Sequence, residues 1–502
     1  MGDLTGPPAA GRGITGGIRS IRAGHSPNCS SAGSVITVAL MSTVAAGVVV
    51  NLWADRLLRW MRADPPPESD PGGPGGGGAP PTTDPSGGDR PNPTGAPADP
   101  DPSAAPARAS NRRTAPGSPR LRPEAEGAVL AWPEPPALLL VDDALADQLR
   151  ARGVPEVGGG AAVPGGLSAP TEAHLAVTDR CPAACTGCYL SAGPDRPATE
   201  PGDLRERLDE LAAMGVFEVA FGGGEALLRE DLFDLAAHAQ QLGMVANLTT
   251  SGFGLTPRRA RQMAALFGQV NVSLDGLGET YAASRGWSGA ARGLGALQML
   301  TDAGVRCGVN TVLTRPLLGD TGALDALGDA AAAAGAVEWQ WLRYKPAGRG
   351  AAAWATLAPS PAQLDGVFPE SLRQEARTGM VIRFDCALVP FVADAVGDAA
   401  RLEQLGVVGC PGGVGLWARS ANGGWAPCSF APGQTTSAPL PERWRADPTL
   451  QAWRARAEAP PAPCDQCAVA RVCRGGCRVV AAHLVGDAMA PDPQCPRVRR
   501  VG

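Results

Sequence analysis

The sequence is poor in aromatic residues and lacks any stripe of basic residues interleaved with them. Aromatic residues make up 5% of the 502 positions, and the formal net charge is −5 at pH 7. Nucleic-acid-binding domains concentrate Lys and Arg on one face and add aromatic residues for stacking. The composition therefore argues against general nucleic-acid binding. The 4 histidines indicate no site either, and His174 is expected to lie in the core.

Aliphatic residues are almost absent from residues 64–125, where Pro and Gly dominate. Such a segment cannot bury enough apolar surface to offset the entropy of ordering the chain, so we predict a disordered Pro/Gly-rich linker. Folded sequence is expected to begin near Glu126. About 375 residues then remain, enough for two or three compact domains.

A cleavage site of small residues is also missing after the apolar run Val35–Trp53, so a signal peptide fits poorly. The run is about long enough to span a bilayer, but Arg residues lie on both sides of it. Two interpretations stay open. Residues 35–53 are a membrane anchor, or the true start is Met41 or Met61 and the protein is cytoplasmic.

From Glu172 onward, short β-branched or apolar runs alternate with amphipathic segments. Repeated strand–helix alternation predicts an α/β fold with a parallel sheet and right-handed crossovers, either an open sheet or a full or partial barrel. In either architecture, ligands gather at the carboxyl ends of the strands. The predicted strands are residues 173–178, 217–222, 244–250, 269–275, 305–314 and 337–344, and the helices are 203–214, 232–242, 257–267, 290–303 and 324–334.

Three cysteines follow the first predicted strand directly, in TDRCPAACTGCYLSAG (179–194). Cys181, Cys185 and Cys188 supply three soft thiolates, which favour iron–sulfur clusters or zinc. Three ligands leave a fourth metal position open, as catalytic metal sites do and structural sites do not. The alternatives are a zinc site completed by a distant fourth ligand, or a disulfide with a spare thiol. The three thiols by themselves favour a catalytic metal site.

The pattern CxxxCxxC followed by Tyr189, after the first strand of a βα repeat, resembles the radical S-adenosylmethionine (SAM) enzymes. The resemblance implies a partial (β/α)6 TIM-like barrel. It also implies a [4Fe–4S] cluster whose unligated iron binds the amino and carboxylate groups of SAM. In that family an electron cleaves SAM to a 5′-deoxyadenosyl radical, which abstracts a substrate hydrogen, while the protein positions and shields the cofactor.

Four further stretches carry the resemblance across residues 173–350. FGGGEALL (221–228) resembles the family's GGEP motif, with Ala226 in place of Pro. Glycines permit close backbone approach, and a carboxylate can accept from an ammonium. VSLDGLGETYAASRG (272–286) matches the SLDG…RG segment, and NLTTSGFGLT (247–256) and WLRYKPAGRG (341–350) match a polar turn and the barrel exit. The implied cofactor-binding residues are Gly223, Gly224, Glu225, Thr249, Thr250, Ser251, Ser273, Asp275 (as support for the turn) and Arg285.

The C-terminal cysteines reproduce the spacing of the SPASM extension, which carries auxiliary iron–sulfur clusters. The spacing is C-x(12)-G-x(4)-C, then C-x(2)-C-x(5)-C-x(3)-C, then a final Cys. The resemblance implies an outer [4Fe–4S] cluster on Cys464, Cys467, Cys473 and Cys495, and an inner one on Cys410, Cys428 and Cys477. The usual fourth inner ligand is missing from residues 400–409, so either Cys386 supplies it, which we favour, or the site is open to substrate. Two structural zinc ions are the alternative; Cys29 and Cys307 receive no role.

We expect five segments: an N-terminal arm (1–63), the linker (64–125), a short pre-barrel segment (126–170), the barrel (171–383) and the SPASM domain (384–502). The function implied is a radical SAM/SPASM oxidoreductase that matures a small precursor peptide or a protein. A flavodoxin- or ferredoxin-type partner would supply electrons. The alternatives are an enzyme of haem- or quinone-cofactor biosynthesis, and a non-catalytic electron carrier. Ser429 stands where sulfatase maturases of this class carry an Asp base, which weighs against that subgroup.

Overall fold

The computed structural model describes residues 118–133, 136–196, 201–435 and 437–501. The predicted N-terminal arm, the apolar run 35–53, Cys29 and most of the predicted linker lie outside the described residues. Within the described ranges, no helix is both long enough and apolar enough to cross a membrane.

The described chain begins with a small antiparallel sheet, β1 (Arg120–Pro123), β2 (Ala128–Pro133) and β3 (Pro136–Val141), followed by α1 (Asp143–Ala151). Asp142 caps α1 by accepting a 2.8 Å hydrogen bond from the Leu145 N–H, which satisfies one of the free donors at the helix start. Leu121 of β1 is fully buried in the core of this unit. Regular structure therefore starts a few residues before the expected boundary at Glu126.

The main sheet has nine strands in the order β10-β9-β8-β7-β6-β5-β4-β11-β12. All neighbours are parallel except β11 and β12. The six predicted strands are confirmed as β4 to β9, with ends within two residues of those expected. The strands are β4 (Glu172–Ala176), β5 (Glu218–Gly222), β6 (Val245–Thr250), β7 (Gln269–Ser273), β8 (Cys307–Leu313), β9 (Glu338–Arg343), β10 (Val381–Phe384), β11 (Leu416–Arg419) and β12 (Trp425–Ala426).

Helices connect the parallel strands and bury one face of the sheet. Leu204 and Leu208 of α2, Met263 of α4 and Leu297 of α6 are fully buried against it in a single hydrophobic core, because the apolar residues recur at helical spacing. The connecting helices are α2 (Pro201–Ala213), α3 (Leu232–Gln241), α4 (Pro257–Leu266), α5 (Gly278–Arg285), α6 (Ala290–Asp302), α7 (Arg315–Gly319), α8 (Thr321–Ala333), α9 (Arg349–Ala352), α10 (Trp354–Leu357), α11 (Pro361–Asp365) and α12 (Val367–Thr378), with a 3₁₀ turn at Ala226–Leu228.

Residues 384–501 form short helices around a second, smaller core that contains Val389, Val392, Leu402 and Val472. Strand–helix alternation ends near Arg383 as expected, but β11 and β12 come from this segment and extend the main sheet beside β4. The sequence did not predict that extension. The helices are α13 (Val389–Val396), α14 (Ala399–Gln404), α15 (Leu440–Ala446), α16 (Pro448–Glu458), α17 (Ala470–Cys473), α18 (Arg478–Val485) and α19 (Pro496–Arg499), with 3₁₀ turns at Cys386–Leu388 and Cys464–Gln466.

Candidate active site

A cavity of about 360 Å³ opens at the carboxyl ends of the parallel strands. Side chains alternate between the two faces of a strand, so one residue in two along each strand faces the cavity. The lining includes all three cysteines of the first cluster and most of the predicted cofactor contacts: Cys181, Cys185, Cys188, Gly223, Gly224, Thr249, Ser251, Ser273, Asp275 and Arg285. The structure thus brings these residues together around one cavity, whereas Glu225 is not among the lining residues.

The loop that carries the three cysteines is held in place by backbone and arginine hydrogen bonds. The Cys181 N–H donates to the Gly193 carbonyl (2.9 Å). Arg349, at the start of α9, donates through Nε to the Cys185 carbonyl (2.9 Å) and through Nη2 to the Ala192 carbonyl (2.7 Å). Since the loop is fixed at both ends, the three thiols keep a defined position over the strand ends.

The surroundings of the thiols in the cysteine loop are suited to thiolates that bind a metal. Burial raises the pKa of Cys181 to about 11, and a bound metal would favour the thiolate form of this group. The Cys185 sulfur faces two N–H donors, Arg285 Nη1 at 3.8 Å and Trp287 Nε1 at 3.4 Å. Among the described residues, no three Cys, His, Asp or Glu side chains are grouped as ligands of a single metal ion.

Two glycines of the GGE turn pack against the cysteine loop. Gly223 has φ +119°, and a Cβ there would lie 2.4 Å from the Thr178 carbonyl oxygen. A Cβ on Gly224 would lie 2.3 Å from the Arg180 carbonyl oxygen. Both distances are shorter than any real contact, so only glycine lets the turn approach this closely.

Glu225 is buried and accepts hydrogen bonds from within the protein on both carboxylate oxygens. Oε1 accepts from Thr250 Oγ1 (2.7 Å) and from the Leu227 N–H (3.2 Å). Oε2 accepts from the Ser251 N–H (2.8 Å) and Ser251 Oγ (2.5 Å). A carboxylate can accept about four hydrogen bonds, so these four contacts fill its acceptor sites. Burial raises the pKa of Glu225, and these hydrogen bonds oppose the rise.

Asp275 and Arg285 form an ion pair at the edge of the cavity. Arg285, the last residue of α5, donates through Nε to Asp275 (2.5 Å), which also accepts from the Val312 N–H of β8 (2.8 Å). Burial lowers the pKa of Arg285, but the charges of Asp275 and Cys185 outweigh it and the pKa is raised. Arg285 is therefore a fixed cation beside the thiols. Ser273 lines the cavity at the end of β7.

The structure also places at the cavity two residues for which the sequence predicted no functional role, His174 and Lys345. His174, expected in the core, has 34% of its side chain exposed and lines the cavity. Its Nδ1 lies 3.0 Å from Ser429 Oγ, and its Nε2 lies 3.0 Å from Glu172 Oε1. Burial lowers the pKa of His174, but the charge and hydrogen bond of Glu172 outweigh this and raise it. The alternation of polar and apolar residues along β4 could have indicated that His174 lies on the polar face of that strand. No feature of the sequence indicates its contact with Ser429.

Lys345 is the second cavity-lining residue for which the sequence predicted no functional role. It follows β9, lines the cavity and pairs with Asp385. Its ammonium also lies 4.3 Å from the centre of the Phe430 ring. Phe430 in turn packs against Tyr189 in a tilted arrangement, with ring centres 4.7 Å apart. These contacts join the first cysteine loop to the C-terminal segment across the cavity.

The C-terminal cysteines fall into two groups whose members interact electrostatically. The buried thiols of Cys386 and Cys410 interact with each other, which lowers the pKa of Cys410 and raises that of Cys386. Burial, together with the charges of Cys410 and Cys477, raises the pKa of Cys428 to about 12. The second group is Cys464, Cys467, Cys473 and Cys495. Cys307, to which no role is assigned from the sequence, is buried in β8 within the hydrophobic core. The roles of both groups as cluster ligands stay predictions.

Comparison with known proteins identifies the class. The Radical SAM superfamily profile matches residues 175–319, which include the three cysteines, the GGE turn and Arg285. The chain is 33% identical over 344 residues to the PqqA peptide cyclase of Streptomyces rochei, an alignment that spans 66% of this chain and 90% of that protein. The chain therefore belongs to the radical SAM superfamily and is a radical SAM enzyme.

A second curated relative and a solved structure of similar fold were also found. The chain is 29% identical over 343 residues to the AdoMet-dependent heme synthase of Nitratidesulfovibrio vulgaris, covering 64% of this chain and 90% of that protein. The fold is similar to that of Streptococcus suis SuiB bound to its precursor peptide SuiA. That match has a TM-score of 0.54 at 19% identity, and covers 66% of this chain and 76% of SuiB.

Proposed function

We propose that this protein is a radical SAM/SPASM oxidoreductase that abstracts a hydrogen atom from a peptide or protein. The observation that carries the proposal is the convergence of Cys181, Cys185 and Cys188 with Arg285 on one cavity at the carboxyl ends of the strands. A [4Fe–4S] cluster on these thiolates, when reduced and bound to SAM, would supply a 5′-deoxyadenosyl radical.

The protein's own residues bind, orient and shield the reactants. The backbone of Gly223 and Gly224, pressed against the cysteine loop, would receive the amino group of SAM. Arg285, held by Asp275, offers a fixed cation for a carboxylate, and Ser273 and Thr249 offer hydroxyls on the cavity wall. Glu225 holds Thr250 and Ser251 in place rather than offering free lone pairs, so we assign it a positioning role.

The two C-terminal cysteine groups fit two auxiliary clusters. We assign Cys386 to the inner group, because its buried thiol and that of Cys410 influence each other's pKa. Cys428 lines the cavity, so an inner cluster would stand next to the substrate and could accept its electron. The outer group is Cys464, Cys467, Cys473 and Cys495. The proposed domains are a pre-barrel segment before 171, a partial barrel over 171–383 and a SPASM domain from 384.

The substrate class rests on relatives. PqqA peptide cyclases and the SuiB–SuiA complex favour a ribosomally made precursor peptide. The similarity to a heme synthase favours a second candidate, radical decarboxylation in cofactor biosynthesis. A short precursor-peptide reading frame beside the gene would favour the first, and its modification by the purified enzyme would establish it.

Formation of 5′-deoxyadenosine tests the reaction. Protein reconstituted with iron and sulfide under anaerobic conditions, then reduced, is expected to cleave SAM. Cys185→Ala removes a proposed cluster ligand and is expected to reduce product to background. Cys307→Ala is the matched control, because Cys307 is buried in β8 away from the cavity. Undiminished 5′-deoxyadenosine from Cys185→Ala would contradict the proposal.

A further inference from the structure

Trp287 lies in the turn between α5 and α6, and its indole N–H points at a cysteine of the catalytic loop. The distance from Trp287 Nε1 to Cys185 Sγ is 3.4 Å, within the range for a hydrogen bond to sulfur. The side chain is half-buried. The matched SLDG…RG segment ends at Gly286 and the next matched stretch begins at residue 341, so no superfamily motif named above assigns Trp287 a role.

Aromatic packing fixes the direction of this indole. Tyr281 meets it edge to face, with ring centres 5.5 Å apart, and Phe253 packs on it at the same separation. Arg292 lies over the Phe253 ring at 3.8 Å. A Cβ on Gly289 would fall 1.9 Å from the Trp287 ring, so glycine makes room for the indole there.

The turn is also docked directly onto the cysteine loop. The Thr186 N–H donates to the Arg285 carbonyl (3.2 Å). Gly286 has φ +78°, and a Cβ there would lie 2.4 Å from Thr186 Oγ1. The backbone contact and the side-chain packing both fix the turn. The Trp287 N–H is therefore already positioned beside the Cys185 sulfur, and no conformational entropy is lost in orienting it during the reaction.

A hydrogen bond to a ligating thiolate changes the electronics of an iron–sulfur cluster. Reduction adds negative charge, and an N–H aimed at sulfur stabilises that charge, so such donors raise the reduction potential. We propose that Trp287 is a positioning residue whose N–H raises the reduction potential of the cluster bound by Cys185. This inference rests on the proposed function. Trp287 itself is neither reduced nor deprotonated when the cluster gains its electron.

The reduction potential of the catalytic cluster tests this directly. The cluster is recognised as the one whose paramagnetic resonance spectrum changes when SAM is added. Trp287→Phe keeps an aromatic ring between Tyr281 and Phe253 but removes the N–H, so the potential is expected to fall. Trp132→Phe, in β2 of the small N-terminal sheet, is the matched control and is expected to leave it unchanged.

A second measurement does not depend on the variant assembling its cluster. In wild-type protein with ¹⁵N in the indole of its 11 tryptophans, the reduced catalytic cluster is expected to show a ¹⁵N coupling. Absence of that coupling, or an unchanged potential in Trp287→Phe with its iron retained, overturns the inference. A wild-type protein with no SAM-responsive cluster would instead overturn the proposed function.

Discussion

At the scale of single residues, Glu225 shows how a motif residue can act through its neighbours. The motif implies that it meets the amino group of SAM. In the structure all of its acceptor capacity is used by Thr250, Ser251 and the Leu227 N–H. These contacts tie the end of β5 to the end of β6. The carboxylate therefore fixes the two turns that border the cofactor space.

Glu225→Gln tests this role. The amide oxygen can accept from one of the two backbone N–H groups, but the NH₂ group cannot accept from the other. One buried donor is left unpaired, so the free energy of unfolding is expected to fall by about 1–3 kcal/mol. SAM affinity should weaken as well, because the turns shift.

Glu230→Gln is the control, because Glu230 is exposed five residues further along the chain. Denaturant titration and equilibrium binding of SAM measure the two effects. Unchanged stability together with weakened SAM binding would mean that Glu225 contacts SAM directly, as the motif implies.

Most of the cofactor-binding residues predicted from the sequence line the cavity, but the sequence did not predict the pairings within it. CxxxCxxC, GGE and SLDG are local patterns, so their residues could be recognised without tertiary information. His174 was expected in the core, because a single histidine on a strand gives no signal for a partner. Its contact with Ser429 depends on β11 and β12 being brought beside β4, which no local pattern encodes.

At the scale of elements, a buried ion pair joins the main sheet to the C-terminal segment. Arg343 ends β9 and donates to Asp492 through Nη1 (2.5 Å) and Nη2 (3.2 Å), and neither side chain has any exposed surface. Asp492 also accepts from the Cys477 N–H (3.1 Å). The pair thus fixes a proposed inner-cluster ligand relative to the strand that leads to Lys345.

Asp492→Ala should break this link. It leaves the Arg343 cation buried without its partner, which typically costs about 3–5 kcal/mol of stability. Asp302→Ala, on the exposed end of α6, is expected to cost less than about 1 kcal/mol. Denaturant titration of reconstituted protein compares the two variants. Equal stabilities would show that the Arg343–Asp492 pair does not hold the two parts together.

The strands β4 to β9 could be predicted because each is an apolar or alternating run bounded by helical periodicity. β11 and β12 could not, since they have four and two residues and carry no periodic signal of their own. Their position is set by parallel pairing with β4, far back in the sequence. The position of β11 and β12 in the sheet therefore depends on tertiary contacts and cannot be predicted from the local sequence.

At the scale of the whole molecule, the cavity is enclosed by the sheet and the C-terminal segment together. The thiols of the proposed catalytic cluster line this cavity, and so do Cys428, Ser429 and Phe430 of the C-terminal segment. This arrangement places a proposed electron acceptor beside the space where a substrate radical would form. It gives a physical reason for two cysteine-rich regions to share one chain.

Metal content per chain tests the central claim, that the three cysteine groups each hold a four-iron cluster. Reconstituted wild-type protein is expected to bind roughly twelve irons and no zinc. Cys185→Ala is expected to lower this to about eight, since the two auxiliary clusters remain. About four irons with bound zinc would contradict the auxiliary clusters. Unchanged iron in Cys185→Ala would contradict the catalytic cluster.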